Sequence, residues 1–143
     1  MVIDTSFTAR YAETDQMGIV HHSNYPVWFE AGRTELLKMV GISNSKIEAM
    51  GILLPLSHMD CSFKSPAKYE DEIIVKTRIR KMTCARVEFD YEVVNGGDGR
   101  LLAIGSTSHA WTDKSLKPLN IKKQQPELWG KLEEAIDENN CEG

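Results

Sequence analysis

One run in this 143-residue chain combines residue types and spacing that could do chemistry: Asp15-Gln16-Met17-Gly18-Ile19-Val20-His21-His22. It stands directly ahead of a segment whose apolar period predicts a helix. A helix start leaves up to about four backbone N–H groups without intrahelical partners and carries roughly half a positive charge. Aimed at a carbonyl oxygen, those groups polarise it and stabilise an oxyanion. A carboxylate held beside them can attack the carbonyl or activate a water against it. Gly18 would let the backbone turn sharply and approach closely. Asp15 and a helix beginning near Ser23 could therefore form an acyl-transfer site that uses neither serine nor cysteine. The plainer account makes Asp15 a loop cap or turn residue, and the residues alone leave both open.

The other reactive side chains carry less. Asp15, His21 and His22 match no standard metal-ligand spacing, so no metal is expected. His58 and His109 fall in strand-like segments and read as structural. Cys61, Cys84 and Cys141 are too few and too widely spaced for a disulfide framework or a zinc knuckle. Cys61 and Cys84 read as small buried hydrophobes within strand patterns.

The elements that must position the run follow from periodicity. Residues 3–12 read as a strand. From Tyr25, a helical face collects Tyr25, Trp28, Phe29, Gly32, Leu36, Met39 and Val40. Ser23 or Asn24 can cap its start, Pro26 suits its first turn, and Gly41 can stop it. A shorter helix spans 43–50. The period then drops to two. Residues 52–63 are strand-like but interrupted by Pro55. Ile73, Val75, Thr77 and Ile79 share one face, as do Val87, Phe89, Tyr91 and Val93. Asn95 to Gly99 carry hairpin-turn chemistry, and residues 101–112 supply another strand. An amphipathic helix over 126–137 precedes a frayed tail. One helix amid a run of strands is an α+β pattern, without the βαβ alternation of a doubly wound nucleotide fold.

Bulk properties narrow the function classes. A hydrophobic share of 41% and a charged share of 27% suit one globular domain over 1–143. A net charge of −4 with mixed signs argues against non-specific binding to nucleic acid or anionic membranes. No apolar run reaches the roughly 20 residues of a membrane span. The start of the chain shows no basic segment followed by an apolar one, and the cysteine usage suits a reducing compartment. A cytoplasmic location is expected.

The spaced string Asp15-x-Met17-Gly18-Ile19-Val20-His21-His22-x-Asn24-Tyr25, with Phe29-Glu30 and Arg33-x-Glu35, resembles the signature of hotdog-fold acyl-CoA thioesterases of the 4-hydroxybenzoyl-CoA thioesterase type. Residues 63–73, "FKSPAKYEDEI", resemble the second strand of that branch and the turn after it. The resemblance implies a curved antiparallel sheet wrapped around one long central helix. It implies protomers that pair as a homodimer or homotetramer, with active sites at the interface. The family's catalytic carboxylate falls on Asp15 and its carbonyl-polarising N–H on His22. Met17, Gly18 and Tyr25 fall where substrate is bound. An acyl-CoA substrate and no cofactor are implied. The chain departs from the pattern just after the acid, where relatives often carry a small residue or proline and this chain has Gln16 and Met17. That change would reshape the acyl pocket. Lys76, Arg78, Arg80 and Lys81 could hold coenzyme A phosphates or form a solvated sheet face. Glu35 could order the loop or be a solvated helix residue. A hotdog protein that binds acyl-CoA without turning it over is the rival reading, while the dedicated Asp/His motif of a hydratase of this fold is absent.

Overall fold

The period-two segments become five strands of one antiparallel sheet: β1 (Ile3–Thr8), β2 (Leu56–Phe63), β3 (Glu72–Met82), β4 (Arg86–Asn95) and β5 (Leu101–Ala110). The computed structural model describes residues 1–140, the last four by backbone alone. The strand order is β1-β3-β4-β5-β2, so β1 and β2 are the edges. Helix α1 (Asn24–Met39) lies across one face; α2 (Asn44–Ala49), α3 (Ile121–Gln124) and α4 (Pro126–Asn140) flank it. This is the hotdog arrangement of an α+β chain.

The alternating faces are as the sequence reads them. Ile73, Val75, Thr77 and Ile79 of β3 and Val87, Phe89, Tyr91 and Val93 of β4 are all buried. They meet Tyr25, Trp28, Phe29, Gly32 and Leu36 of α1. Phe29 stacks on Tyr91, centroids 4.3 Å apart. Gly105 of β5 keeps this contact close, because a β-carbon there would lie 2.7 Å from the Phe29 ring and 2.6 Å from the Asp60 carbonyl oxygen. The expected hairpin turn forms at Asn95, whose carbonyl accepts the Gly99 N–H at 2.8 Å.

Several expectations change. The first strand stops at Thr8 rather than 12, and Tyr11–Glu13 form a single 3-10 turn. Met39 is 62% exposed, because the sheet no longer lies beneath the last turn of α1. Leu37 is buried instead, in a cleft it lines with Ile47 and Ile52. Gly41 does end α1, at φ +85°, where its N–H bonds the Lys38 carbonyl and the Ile42 N–H bonds that of Leu37. Cys61 and Cys84 are only half-buried, and Cys84 sits in the turn between β3 and β4. His58 is exposed on the β2 edge with Asp60 3.4 Å away. Helix α4 continues through Asn140, past the expected end at 137; residues 141–143, including Cys141, lie outside the described residues.

His109 is structural, as expected. It ends a buried polar chain: Arg33 donates to the Tyr91 hydroxyl (3.5 Å), Tyr91 and Thr107 share a bond of 2.7 Å, Thr107 meets His109 Nε2 (2.9 Å), and Nδ1 meets the Leu54 carbonyl (3.2 Å).

Candidate active site

The run from Asp15 to His22 folds as a tight loop between the 3-10 turn and α1. Thr14 and Val20 bridge its two limbs. The Asp15 N–H bonds the Ile19 carbonyl (2.9 Å), and the Gly18 N–H returns to the Asp15 carbonyl (3.0 Å). Gly18 has φ +79°, the left-handed conformation that favours glycine. The loop rests on the segment after β2, through an Ile19–Lys68 bridge and a Val20 N–H bond to the Ala67 carbonyl at 2.8 Å. This explains why the second sequence motif matters: it supplies the floor on which the first one sits.

Asp15 accepts the Met17 N–H on Oδ1 at 2.8 Å, and its Oδ2 has no partner among the described residues. One oxygen is thus oriented and the other unengaged. At the helix start, Ser23 holds the cap position, but its hydroxyl bonds the His21 ring (2.8 Å) and makes no cap bond. The amides of His21, Ser23, Asn24 and Tyr25 all find acceptors, His21 on the Glu13 carbonyl of the 3-10 turn and the others within the loop. The amide of His22 has none among the described residues. An unengaged N–H at a helix start is the group an oxyanion needs.

Asp15 and His22 line one cavity of about 400 Å³. Met17, Ile19, Val20, Tyr25, Phe63 and Pro66 give it an apolar lining, and Lys64 and Ser65 stand at it as well. Tyr25 is 2% exposed and packs edge-on against Phe63, centroids 4.9 Å apart. Burial, and secondarily Cys61, pushes its phenol up to about 12, so it stays a neutral hydroxyl. That hydroxyl has no hydrogen-bond partner among the described residues. Of the residues expected to bind substrate, Met17 and Tyr25 therefore line the cavity. Gly18 does not; it shapes the turn.

Three residues of this region are invisible to spacing arguments. Phe63 and Lys64 come from the end of β2, far from the loop in sequence. Glu13, two residues before Asp15, is 5% exposed and bonds the Trp28 indole. The Glu35 side chain makes no hydrogen bond or ion pair among the described residues. The basic stripe lies elsewhere, over a separate groove of about 640 Å³ that shares no lining residue with the Asp15 cavity. Three of its four cations are matched, Lys76 by Asp4, Arg78 by Asp90, and Arg80 by Glu88 and Asp90, while Lys81 has no ion pair among the described residues. That pairing favours the solvated-face account.

Comparison with known proteins agrees with this fold. Residues 9–129 match the model of the Thioesterase-like superfamily. The chain is 39% identical over 127 residues to the Bacillus subtilis (strain 168) protein named "Putative acyl-CoA thioesterase YneP", covering 88% of this chain and 91% of that one. Its fold is similar to that of a DHNA-CoA thioesterase from Staphylococcus aureus, with a TM-score of 0.93, 30% identity, and coverage of 99% and 95% of the two chains. It is also similar to the hypothetical protein TT1821 from Thermus thermophilus, with a TM-score of 0.86, 32% identity, and coverage of 94% and 98%. Fold and site thus define a hotdog-fold thioester hydrolase. The chain belongs to the Thioesterase-like superfamily.

Proposed function

We propose that the chain hydrolyses acyl-coenzyme A thioesters to a free carboxylic acid and coenzyme A, with Asp15 and the His22 amide as its catalytic groups. One observation carries this: Asp15, whose carboxylate is half-free, and His22, whose amide is unengaged among the described residues, line the same apolar cavity. The thioester carbonyl oxygen accepts the His22 N–H, which draws negative charge toward the helix start. Asp15 Oδ2 then either attacks the carbonyl carbon or takes a proton from a water that does. In the first case an anhydride forms, the thiolate leaves, and water opens the anhydride. In the second the thiolate leaves directly from the tetrahedral adduct. The acyl group lies against Met17, Ile19, Tyr25 and Phe63.

The names of the relatives support a coenzyme A thioester as substrate. A cytoplasmic location suits that substrate, and no helix among the described residues is long and apolar enough to cross a membrane. We further propose a homodimer or homotetramer, since the β2 edge beside the cavity is open and carries exposed apolar side chains.

The test is thiol release from a panel of short, long and aromatic acyl-CoA esters. Asp15→Asn keeps an acceptor for the Met17 N–H and removes the charge, so turnover should fall at least about a hundredfold. Near-native turnover in that variant would refute the assignment. Saturable binding with no thiol released anywhere on the panel would instead make the protein an acyl-CoA binder. Single turnover in ¹⁸O-water separates nucleophile from base, because only an anhydride route can leave label in the Asp15 carboxylate.

A further inference from the structure

Glu13 is a buried acid that the proposed chemistry does not use. It is 5% exposed, yet it does not line the Asp15 cavity. Burying a carboxylate is costly unless its oxygens are bonded. Here both are. Oε1 accepts the Arg10 N–H at 2.8 Å, and Oε2 accepts the Trp28 indole N–H at 3.0 Å. The backbone of the same residue is equally occupied. Its carbonyl accepts the His21 N–H at 2.8 Å and the Asn24 side-chain amide at 2.9 Å.

We propose that Glu13 is the positioning residue that keeps the Asp15 carboxylate and the His22 amide in register, a role that rests on the site proposed above. The four bonds tie together the entry to the loop (Arg10), its exit (His21 and Asn24) and the second turn of α1 (Trp28). Asp15 lies two residues after the clamp, and His22 lies one residue after the amide it holds. The Thr14–Val20 bridge closes the rest of the loop as a small unit. Release of the clamp lets that unit move relative to the helix start. Trp28 is a firm anchor, because its ring packs on Phe7 (5.4 Å) and Tyr25 (4.8 Å) and is 2% exposed. A carboxylate fits this place where an amide would not. The Arg10 backbone N–H and the Trp28 indole N–H converge on Glu13, with the Arg10 guanidinium 3.5 Å from Oε1, and a glutamine offers one oxygen and one NH₂, so one donor would face another donor. Displacing a reacting group by about 1 Å can cost on the order of a hundredfold in rate, which gives the clamp a catalytic consequence without contact to substrate.

The experiment uses Glu13→Gln, Trp28→Phe and the double variant. Trp28→Phe keeps an aromatic ring in place and removes only the donor. Two readouts run in parallel: kcat and KM for the best thioester of the panel, and amide hydrogen exchange at His21 with Tyr91 of β4 as an internal control. Glu13→Gln should speed His21 exchange about tenfold or more while leaving Tyr91 unchanged. Its kcat should fall roughly ten- to a hundredfold with KM within about threefold of wild type. Trp28→Phe should move both readouts the same way by less, and the double variant should add little to Glu13→Gln. Folded variants with His21 exchange and kcat within about twofold of wild type, or with a raised KM alone, would overturn the proposal. If Glu13→Gln does not fold, Trp28→Phe decides. If the wild-type protein releases no thiol, the function proposed above has failed, and His21 exchange still judges the clamp.

Discussion

Gly32 of α1 faces Thr77 of β3 with no room between them for a β-carbon. A methyl group on Gly32 would overlap the Thr77 hydroxyl and come within 3.0 Å of Val75 Cγ1. Thr77 is fully buried, and its hydroxyl has no hydrogen-bond partner among the described residues. Glycine inside a helix costs about 1 kcal/mol relative to alanine, yet here it sets how close the helix lies to the sheet. Gly32→Ala should therefore destabilise the protein despite its better helix propensity, by up to about 2 kcal/mol, the overpacking cost of about 1–3 kcal/mol less the roughly 1 kcal/mol gained in the helix. Thr77→Ala should recover much of that loss in the double variant, since the two side chains compete for one space. Urea unfolding of the four proteins reads both effects; a Gly32→Ala protein as stable as wild type would show that the interface can part.

His109 gives the fold a pH dependence. Burial first, and the nearby Arg33 guanidinium second, hold its imidazole below the ordinary value of 6.5. The neutral ring suits its neighbours, with Nδ1–H donating to the Leu54 carbonyl and Nε2 accepting from Thr107. A protonated ring would donate at both nitrogens and force the Thr107 hydroxyl to turn. The unfolded chain takes up the proton first as pH falls, so stability is full above about 6.5 and is lost below it. The slope from this one group can approach about 1.4 kcal/mol per pH unit between the unfolded and folded values. The difference in unfolding free energy between wild type and His109→Asn should therefore shrink from pH 7.5 toward 5.5. A constant difference would remove His109 from the account.

Much of this architecture is written in local pattern. The alternation of Ile73-Val75-Thr77-Ile79 and the period of Tyr25-Phe29-Gly32-Leu36 each need one apolar face, so the pattern names that face. Gly41 and the Asn95–Gly99 turn are legible because positive φ demands particular residues. Asp15, Met17, His22 and Tyr25 are also legible as a group, since one short loop and one helix start bring them to a single cavity. What could not be read depends on packing between distant segments. The partner of Glu13 lies 15 residues away on another element, and nothing in the run YAETD marks the acid as buried. Alternation in a strand does not distinguish an edge from a centre, so Cys61 reads as a buried hydrophobe on a strand whose outer side is open. Met39 keeps the helical period, but the sheet ends before it.

Phe63 should govern which acyl groups are accepted. It lines the cavity, stands edge-on to Tyr25, and is 53% exposed in the protomer. Phe63→Ala removes bulk from the acyl wall without opening the core. Preference across the acyl-CoA panel should move toward bulkier acyl groups by a factor of about 10–200 in relative kcat/KM, the range one changed hydrophobic contact supplies. Tyr25→Phe is the complement, since the hydroxyl has no partner to lose among the described residues. Its unfolding free energy should stay within about 0.5 kcal/mol of wild type, while kcat/KM falls for acyl groups that carry a hydrogen-bonding substituent. An unchanged panel profile in both variants would place the acyl group away from this wall.

The edge formed by β2 makes the last prediction. An edge strand offers unpaired backbone groups to any partner, and proteins usually blunt such edges with charge, proline or a covering element. Here β2 has eight residues, and Leu56, Met59 and Phe63 on it are 52%, 39% and 53% exposed. Its charged residue Asp60 is turned to local bonds with Ser106 and His58. Such an edge is suited to a second copy, and because Phe63 belongs to both edge and cavity, association and turnover should fail together. Sedimentation velocity should show a dimer or tetramer for wild type. Met59→Lys places a charge on the edge away from the cavity lining and should shift the species toward monomer by at least about tenfold in dissociation constant, the scale of about 1.4 kcal/mol. Specific activity should then fall with dilution more steeply than in wild type. A Met59→Lys protein that stays assembled and fully active would put the subunit contact on another face.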